Sequence, residues 1–458
     1  MKKINLFIGA LVVSASSFAQ LTPDITSWLQ DTVTTGSYYM SGNSTPIANN
    51  ILVNCQRVEY SSNFVYISTK GVPSYPTGPF QDGNPSQATD QSAIFKIPRN
   101  PTPNTGTLNT TVGGNIGVFI NGVALFDYRD GVAWNPNTNA LCGGPGNAPC
   151  PGGPLSTQAW NRDAVPSEMI GFDCSKGHPA NGNYHHHQNP SAFKLDLNVV
   201  SSICNLYDAN GLYVIDSTRH SPLIGFAYDG YPIYGAYGYK NTNGTGGISR
   251  IKSGYEKRNI TTRTTSPAGT AVSSGPAVST TYPLGYFRED YKWFSNTYQD
   301  FLDEHNGRFC VTPEYPNGTY AYFATVDANW NSAYPYVVGP NFYGNYANRK
   351  VTSITENTTR YIGSATAIND NDWAQLSVSI FPNPATELVA IQLGSLLTHN
   401  VEVTLLDMSG RKVATTRINK GSSIAHFDVQ TLYAGTYIMR FTGENGGVFN
   451  KKLIISKD

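Results

Sequence analysis

Four of the eight histidines in the chain fall within a short stretch, at His178, His185, His186 and His187. Neutral imidazole is the commonest side-chain metal ligand near neutral pH. A Gly182-Asn183 entry and an Asn189-Pro190 exit bracket the triplet, so the run between reads as a short strand between turns. Residues two apart on a strand share a face at roughly 6.5–7 Å. His185 and His187 therefore point together, with Tyr184 and His186 on the other face. Two imidazoles so placed converge on one ion about 2 Å from each nitrogen. They do not complete a site, so further ligands must come from elsewhere: His178 first, then His305. Zinc and copper both suit imidazole ligands. With an open position, a zinc-like ion carries a water of lowered pKa, whereas copper would turn the site to redox work. Asp229 or Glu304 would then be the catalytic base, or the carboxylate orienting a ligating imidazole.

Each of these residues also has a plainer reading. His185 and His187 could be hydrogen-bonded to tyrosine and backbone in a rigid core. His220 and His305 are single histidines among polar neighbours. Asp229-Gly230 is what a tight hairpin turn wants. Asp303 and Glu304 stand beside Arg308, which suits a structural ion pair. The tyrosines of 226–239 fit a core as well as an aromatic or sugar pocket, because Tyr buries a large ring while its hydroxyl finds a partner. The chain has no nucleophile elbow, P-loop or dinucleotide fingerprint. Its net charge of zero at pH 7, without a basic stripe, argues against nucleic acid as a partner.

The elements that must position these groups read as strands. Charged residues make up 14% of the 458, well under the usual share of about 25%, while Tyr 29, Phe 20 and Trp 6 supply core material. Gly 44 and Pro 28 imply many turns. Apolar runs on either side of Asn121-Gly122 and of Asp229-Gly230 predict two hairpins. Pro232 suggests an edge or irregular strand in the second. Short helices are expected over 156–163 and 298–305, loop over 130–154, and a long surface excursion over 240–281. Seven short strands at even spacing in the last 80 or so residues suggest a small, Ig-like β-sandwich. The fold class is therefore mainly β. Its divisions are a signal peptide over 1–19, a large β-rich domain over 20–350, a linker over 351–376 and the sandwich over 377–458.

The signal peptide rests on Lys2-Lys3, the apolar run Ile4 to Val13 and the small-x-small Ser17-Phe18-Ala19. That run is too short to span a bilayer, and no other stretch approaches about 20 apolar residues, so no transmembrane segment is expected. In an exported protein the six cysteines favour disulfides. Cys142–Cys150 is the easiest to close, with Cys174–Cys204 and Cys55–Cys310 as the remaining guesses.

Two resemblances follow from motifs. Ile380-Phe381-Pro382-Asn383-Pro384-Ala385, Leu405-Leu406-Asp407-Met408-Ser409-Gly410-Arg411, Leu432-Tyr433-Ala434-Gly435-Thr436-Tyr437-Ile438 and Lys451-Lys452-Leu453-Ile454-Ile455 resemble, in that order, the sorting domain of the type IX secretion system. The resemblance implies secretion or surface display through the outer membrane, with the type IX machinery as partner. The large domain resembles the YHYH family through Gly177-His178-Pro179, Gly182-Asn183-Tyr184-His185-His186-His187, Leu223 to Gly235, Leu302 to Arg308 and Pro316 to Tyr322. His186 stands where the family's second Tyr would be, which leaves His185 and His187 in family positions. The resemblance implies kinship and no reaction. Two functions are then expected: a metal-binding protein that in its enzyme form uses the ion, or a non-catalytic surface module binding glycan or protein through Tyr-rich loops.

Overall fold

The computed structural model describes residues 21–457 apart from 44, 81, 83–86, 112, 154–156, 191–214, 347–348, 363–377, 394–396, 398–399, 408–409 and 444–447. It is mainly β, as the composition implies. The centre is an eight-stranded mixed sheet. Its order is Gly177–Ala180, Asn183–His186, Ala124–Phe126, Asn115–Phe119, Leu223–Ala227, Pro232–Tyr234, Thr319–Phe323 and Gly307–Cys310. Both expected hairpins form. Gly122 and Gly230 take φ of 78° and 95°, conformations that cost a Cβ-bearing residue energy. A third hairpin joins the first two strands through Asn181-Gly182, with φ of 50° and 79°. That turn fixes register: Ala180 faces Asn183, and His178 faces His185.

A five-stranded antiparallel sheet shares the core. Val58, Val65, Ile67, Phe95 and Ile97 from it join Val118, Phe119, Phe226, Ile233 and Tyr322 from the central sheet in one buried cluster. Thr359–Tyr361 pairs with Cys55–Tyr60, and Lys350–Val351 with Ala93–Pro98. The first part of the expected linker over 351–376 is thus held to this sheet, where Thr358 also donates to Glu59 and Tyr66 bonds Glu356, while residues 363–376 lie outside the described residues.

Several local expectations are corrected. The helix expected over 156–163 is instead Ala164–Glu168: Asp163 is its N-cap, accepting from the Val165 N–H at 3.0 Å. An aspartate taken as a helix end is in fact the start. No helix forms over 298–305; the segment turns to bring Gly307 into the sheet edge. Pro232 lies inside the sheet, as the first residue of its strand, where its missing N–H costs no ladder bond. Within 130–154, Arg129–Asn135 and Ala140–Cys142 form a hairpin. The 240–281 segment is tied down by buried Arg263, which pairs with Asp290 at 2.7 Å and donates to the carbonyls of Pro276, Tyr282 and Pro283.

Cys142–Cys150 is bonded as expected. Cys174 is in a disulfide, while Cys204 lies outside the described residues. Cys55 and Cys310 do not pair: both are buried free thiols, in different sheets. Each packs as a small apolar side chain, and Cys55 leans on the Ile120 carbonyl at 3.4 Å.

The C-terminal residues form a separate two-layer sandwich. Ser379–Phe381, Leu388–Gln392 and Ile424–Asp428 make one sheet, and Val401–Leu406, Lys412–Ile418, Gly435–Gly443 and Val448–Ile455 the other. Alternate residues such as Val389, Ile391, Val403, Leu405, Met439 and Phe441 close a core of their own.

Candidate metal centre

The edge hairpin builds the site. Strand alternation sends Tyr184 and His186 to one face and His185 to the other, as the i, i+2 argument requires. On the rear face, the Tyr184 hydroxyl donates to Asp173 at 2.8 Å and meets Ser175 at 2.6 Å. Asp173 also accepts from the Ser175 and Gly177 N–H groups, so one buried carboxylate fixes both the entry turn and Tyr184. His186 Nε2 bonds the Tyr75 hydroxyl at 2.8 Å, and burial pushes its pKa down to about 3. The substituted position is thus a neutral packing residue, which agrees with its expected lesser role.

The front face gathers His178, His185 and His187, with candidate ligand atoms all within 4.8 Å of one another. His178 is the cross-strand partner of His185, a neighbour that the Asn181-Gly182 turn signal could have revealed. His187 follows the strand and reaches back to the same point. The Nε2 of His187 lies 3.1 Å from that of His185 and 3.4 Å from that of His178. Orientation is set from behind. His185 Nδ1 donates to the Asn183 carbonyl at 2.8 Å and His187 Nδ1 to the Asp127 carbonyl at 2.6 Å. A carbonyl only accepts, so both Nδ1 atoms carry the proton, and in the neutral rings both Nε2 lone pairs face inward. Phe126 stacks under His185 at 3.7 Å, and Phe172 meets His178 edge-on at 4.9 Å.

A fourth group was not foreseen. Glu168, the last residue of the helix capped by Asp163, brings Oε2 to 3.3 Å from Nε2 of both His178 and His187. Burial works against its charge, yet the two imidazoles hold its carboxyl well below the usual range. Burial likewise opposes charge on His187, but the Glu168 carboxylate prevails and raises its pKa. His185 goes the other way: burial, then its histidine neighbours, keep it neutral. A five-residue helix has no periodicity to read, so nothing in the sequence marked Glu168.

The spacings fit a metal ion. With bonds of about 2.1 Å, neighbouring donors stand about 3.0 Å apart in an octahedron and about 3.4 Å apart in a tetrahedron. Three nitrogens and one carboxylate oxygen are a borderline donor set suited to divalent first-row ions.

The other candidates lie elsewhere. Asp229 is buried and accepts from the Tyr322 hydroxyl at 2.6 Å and the Gly344 N–H at 2.9 Å, several strands from the histidines. Glu304 is an exposed turn residue. His305 donates through Nδ1 to the Asn341 carbonyl, and His220 to the Ser221 carbonyl. Asp303 takes the Tyr320 hydroxyl, while Arg308 serves backbone carbonyls, so the expected pair between them does not form.

The molecule is a mainly β protein with a buried histidine–carboxylate cluster on a sheet edge and a separate C-terminal sandwich. Residues 94–335, more than half of the chain, match the YHYH protein family, and the chain belongs to it. Residues 379–456 match the secretion system C-terminal sorting domain, which implies export through the type IX system. No curated protein matches the chain. Among solved structures, a DUF3244 family protein with an immunoglobulin-like β-sandwich fold from Bacteroides vulgatus is similar at 18% identity. That match covers 19% of this chain and 89% of the other, with a TM-score of 0.16. Dimeric latent PorU from Porphyromonas gingivalis is similar at 26% identity, over 18% of this chain and 9% of its own, with a TM-score of 0.15. Among the described residues, no helix is long and apolar enough to cross a membrane.

Proposed function

We propose that the protein is an exported metal-binding protein whose ion is held by His178, His185, His187 and Glu168. One observation carries the reading. The Nε2 lone pairs of His185 and His187 face each other across 3.1 Å with both Nδ1 protons committed to carbonyls. Two lone pairs so close repel unless a proton or a metal ion sits between them. A zinc-like or copper ion supplies that cation. Glu168 balances part of its charge and, with 25% of its side chain exposed, marks the side from which solvent and a substrate reach it. In the enzyme form of the reading, the ion would lower the pKa of a bound water. Asp229 and Glu304 would take no part. Export would begin with the segment 1–19 as signal peptide and finish with 377–458 engaging the type IX machinery.

The test is metal analysis of the full chain purified without chelator and then loaded with zinc or copper. About one equivalent per chain is expected, lost in the double variant His185→Ala, His187→Ala. Less than about 0.2 equivalents after loading, or full stoichiometry in the double variant, would sink the reading.

A further inference from the structure

A second concave site shares no wall with the histidine cluster. A cavity of about 310 Å³ is lined by Tyr255, Arg288, Tyr291, Trp293 and Tyr334, among others. That volume is at the small end for ligand sites and suits one substituted six-membered ring. The local sequence dictates the walls. Tyr255–Lys257 pairs antiparallel with Tyr291–Trp293, which sets Tyr255 opposite Trp293. The period of two puts Tyr291 and Trp293 on one face. Tyr334 stacks on Tyr291 at 4.1 Å with planes 3° apart and meets Tyr255 edge-on at 5.3 Å. Trp293 is locked by its Nε1–H donating to the Leu302 carbonyl at 3.2 Å. The result is a rigid set of aromatic faces and edges, which favours a flat or ring-shaped apolar body.

The charged groups at the cavity are Arg288 and one carboxylate, Glu289, while Lys292 turns its ammonium to the other face of the strand, 5.6 Å over the Phe294 ring. That carboxylate is already engaged: it accepts from the Asn161 N–H at 2.7 Å, from Asn161 Nδ2 at 3.0 Å and from Arg288 Nε at 2.6 Å. Arg288 Nη1 remains buried without a hydrogen-bond partner among the described residues. A buried guanidinium nitrogen left unpaired costs energy that an incoming anion would recover.

We propose that this cavity binds a ring-bearing carboxylate, its ring against the Tyr255, Tyr291, Trp293 and Tyr334 walls and its carboxylate toward Arg288. Two sources share that chemistry, an aryl acid and a uronic acid. The site is independent of the metal reading, and either can fail alone.

Calorimetric titration of the full chain with benzoate and with glucuronate tests it, on chelator-treated and untreated protein alike. Benzyl alcohol and glucose are the neutral controls. At least one acid should bind with a Kd of about 5 mM or tighter, and its neutral counterpart at least about tenfold more weakly. Which acid binds identifies the source. Arg288→Gln should cost at least about tenfold. Should that variant fail to fold, raising salt to about 0.5 M decides the matter, expected to weaken binding of the acid about threefold and to leave the neutral ring unchanged. The proposal is overturned if neither acid binds with a Kd of about 5 mM or tighter, if neutral rings bind as tightly, or if salt leaves the acid's affinity unchanged.

Discussion

The proton on Nδ1 decides what each imidazole can do. His185 and His187 each spend that proton on a backbone carbonyl, so Nε2 is the only atom left to face an ion. His186, one residue away, turns its Nε2 to Tyr75 on the opposite face. His186→Ala should therefore leave metal stoichiometry intact while costing about 1–3 kcal/mol of stability, read by denaturant melts, because it strands a buried tyrosine hydroxyl. Glu168→Gln keeps the shape but removes the charge; metal affinity in chelator competition should fall about 10–100-fold. The split between His185 and His186 was legible in the sequence, since it needs only strand alternation. Glu168 was not, because its position depends on where a five-residue helix docks. Asp229 was misread for a related reason: Asp-Gly correctly gave the turn, but only the fold shows that the Tyr322 hydroxyl and Gly344 N–H occupy its carboxylate. Burial pushes that carboxyl up to about 6. A raised carboxyl pKa means that the folded state holds its proton more tightly than the unfolded one, with an ordinary value near 3.9. The associated stability is present below about pH 4 and lost as pH rises through about 6, roughly 3 kcal/mol in all. Asp229→Asn should remove this loss, so the stability difference between wild type and variant should shift by about that amount between pH 3.5 and 7.

Two short elements set the geometry of the cluster. The hairpin turn at Asn181-Gly182 places His178 opposite His185. A Cβ on Gly182 would lie 2.0 Å from Thr89 Oγ1, at a φ of 79° that L-residues rarely adopt. Gly182→Ala should lower the melting temperature and weaken metal binding together, since the same strain displaces the cross-strand histidine. The second element is the helix Ala164–Glu168. Its cap, Asp163, also accepts from the Tyr336 hydroxyl at 2.6 Å. Turn chemistry was the most legible feature at this scale, as both apolar hairpins formed where Asn-Gly and Asp-Gly predicted them. Helices were the least legible: the span expected at 156–163 forms only after its last residue, Asp163, which caps Ala164–Glu168, and 298–305 is turn and irregular chain.

At the scale of the whole molecule, two cores divide the labour. The C-terminal sandwich closes on residues 378–455 and shares none of its core with the large domain. A chain ending at residue 362 should therefore keep the metal stoichiometry and melting transition of the large domain, yet remain in the periplasm instead of reaching the surface or medium. Cell fractionation and metal analysis of the same preparation check both halves of that statement. The seven evenly spaced strands and their motifs made this division readable from sequence, whereas the shared core of the two large sheets was not, since it joins segments hundreds of residues apart. The two unpaired thiols give that core a built-in clock. Cys55 sits in the five-stranded sheet and Cys310 on the outermost strand of the eight-stranded one, both sealed from solvent. A maleimide can reach each only when its own sheet opens. The order in which the two sulfurs are alkylated under native conditions would thus rank the opening of the two layers.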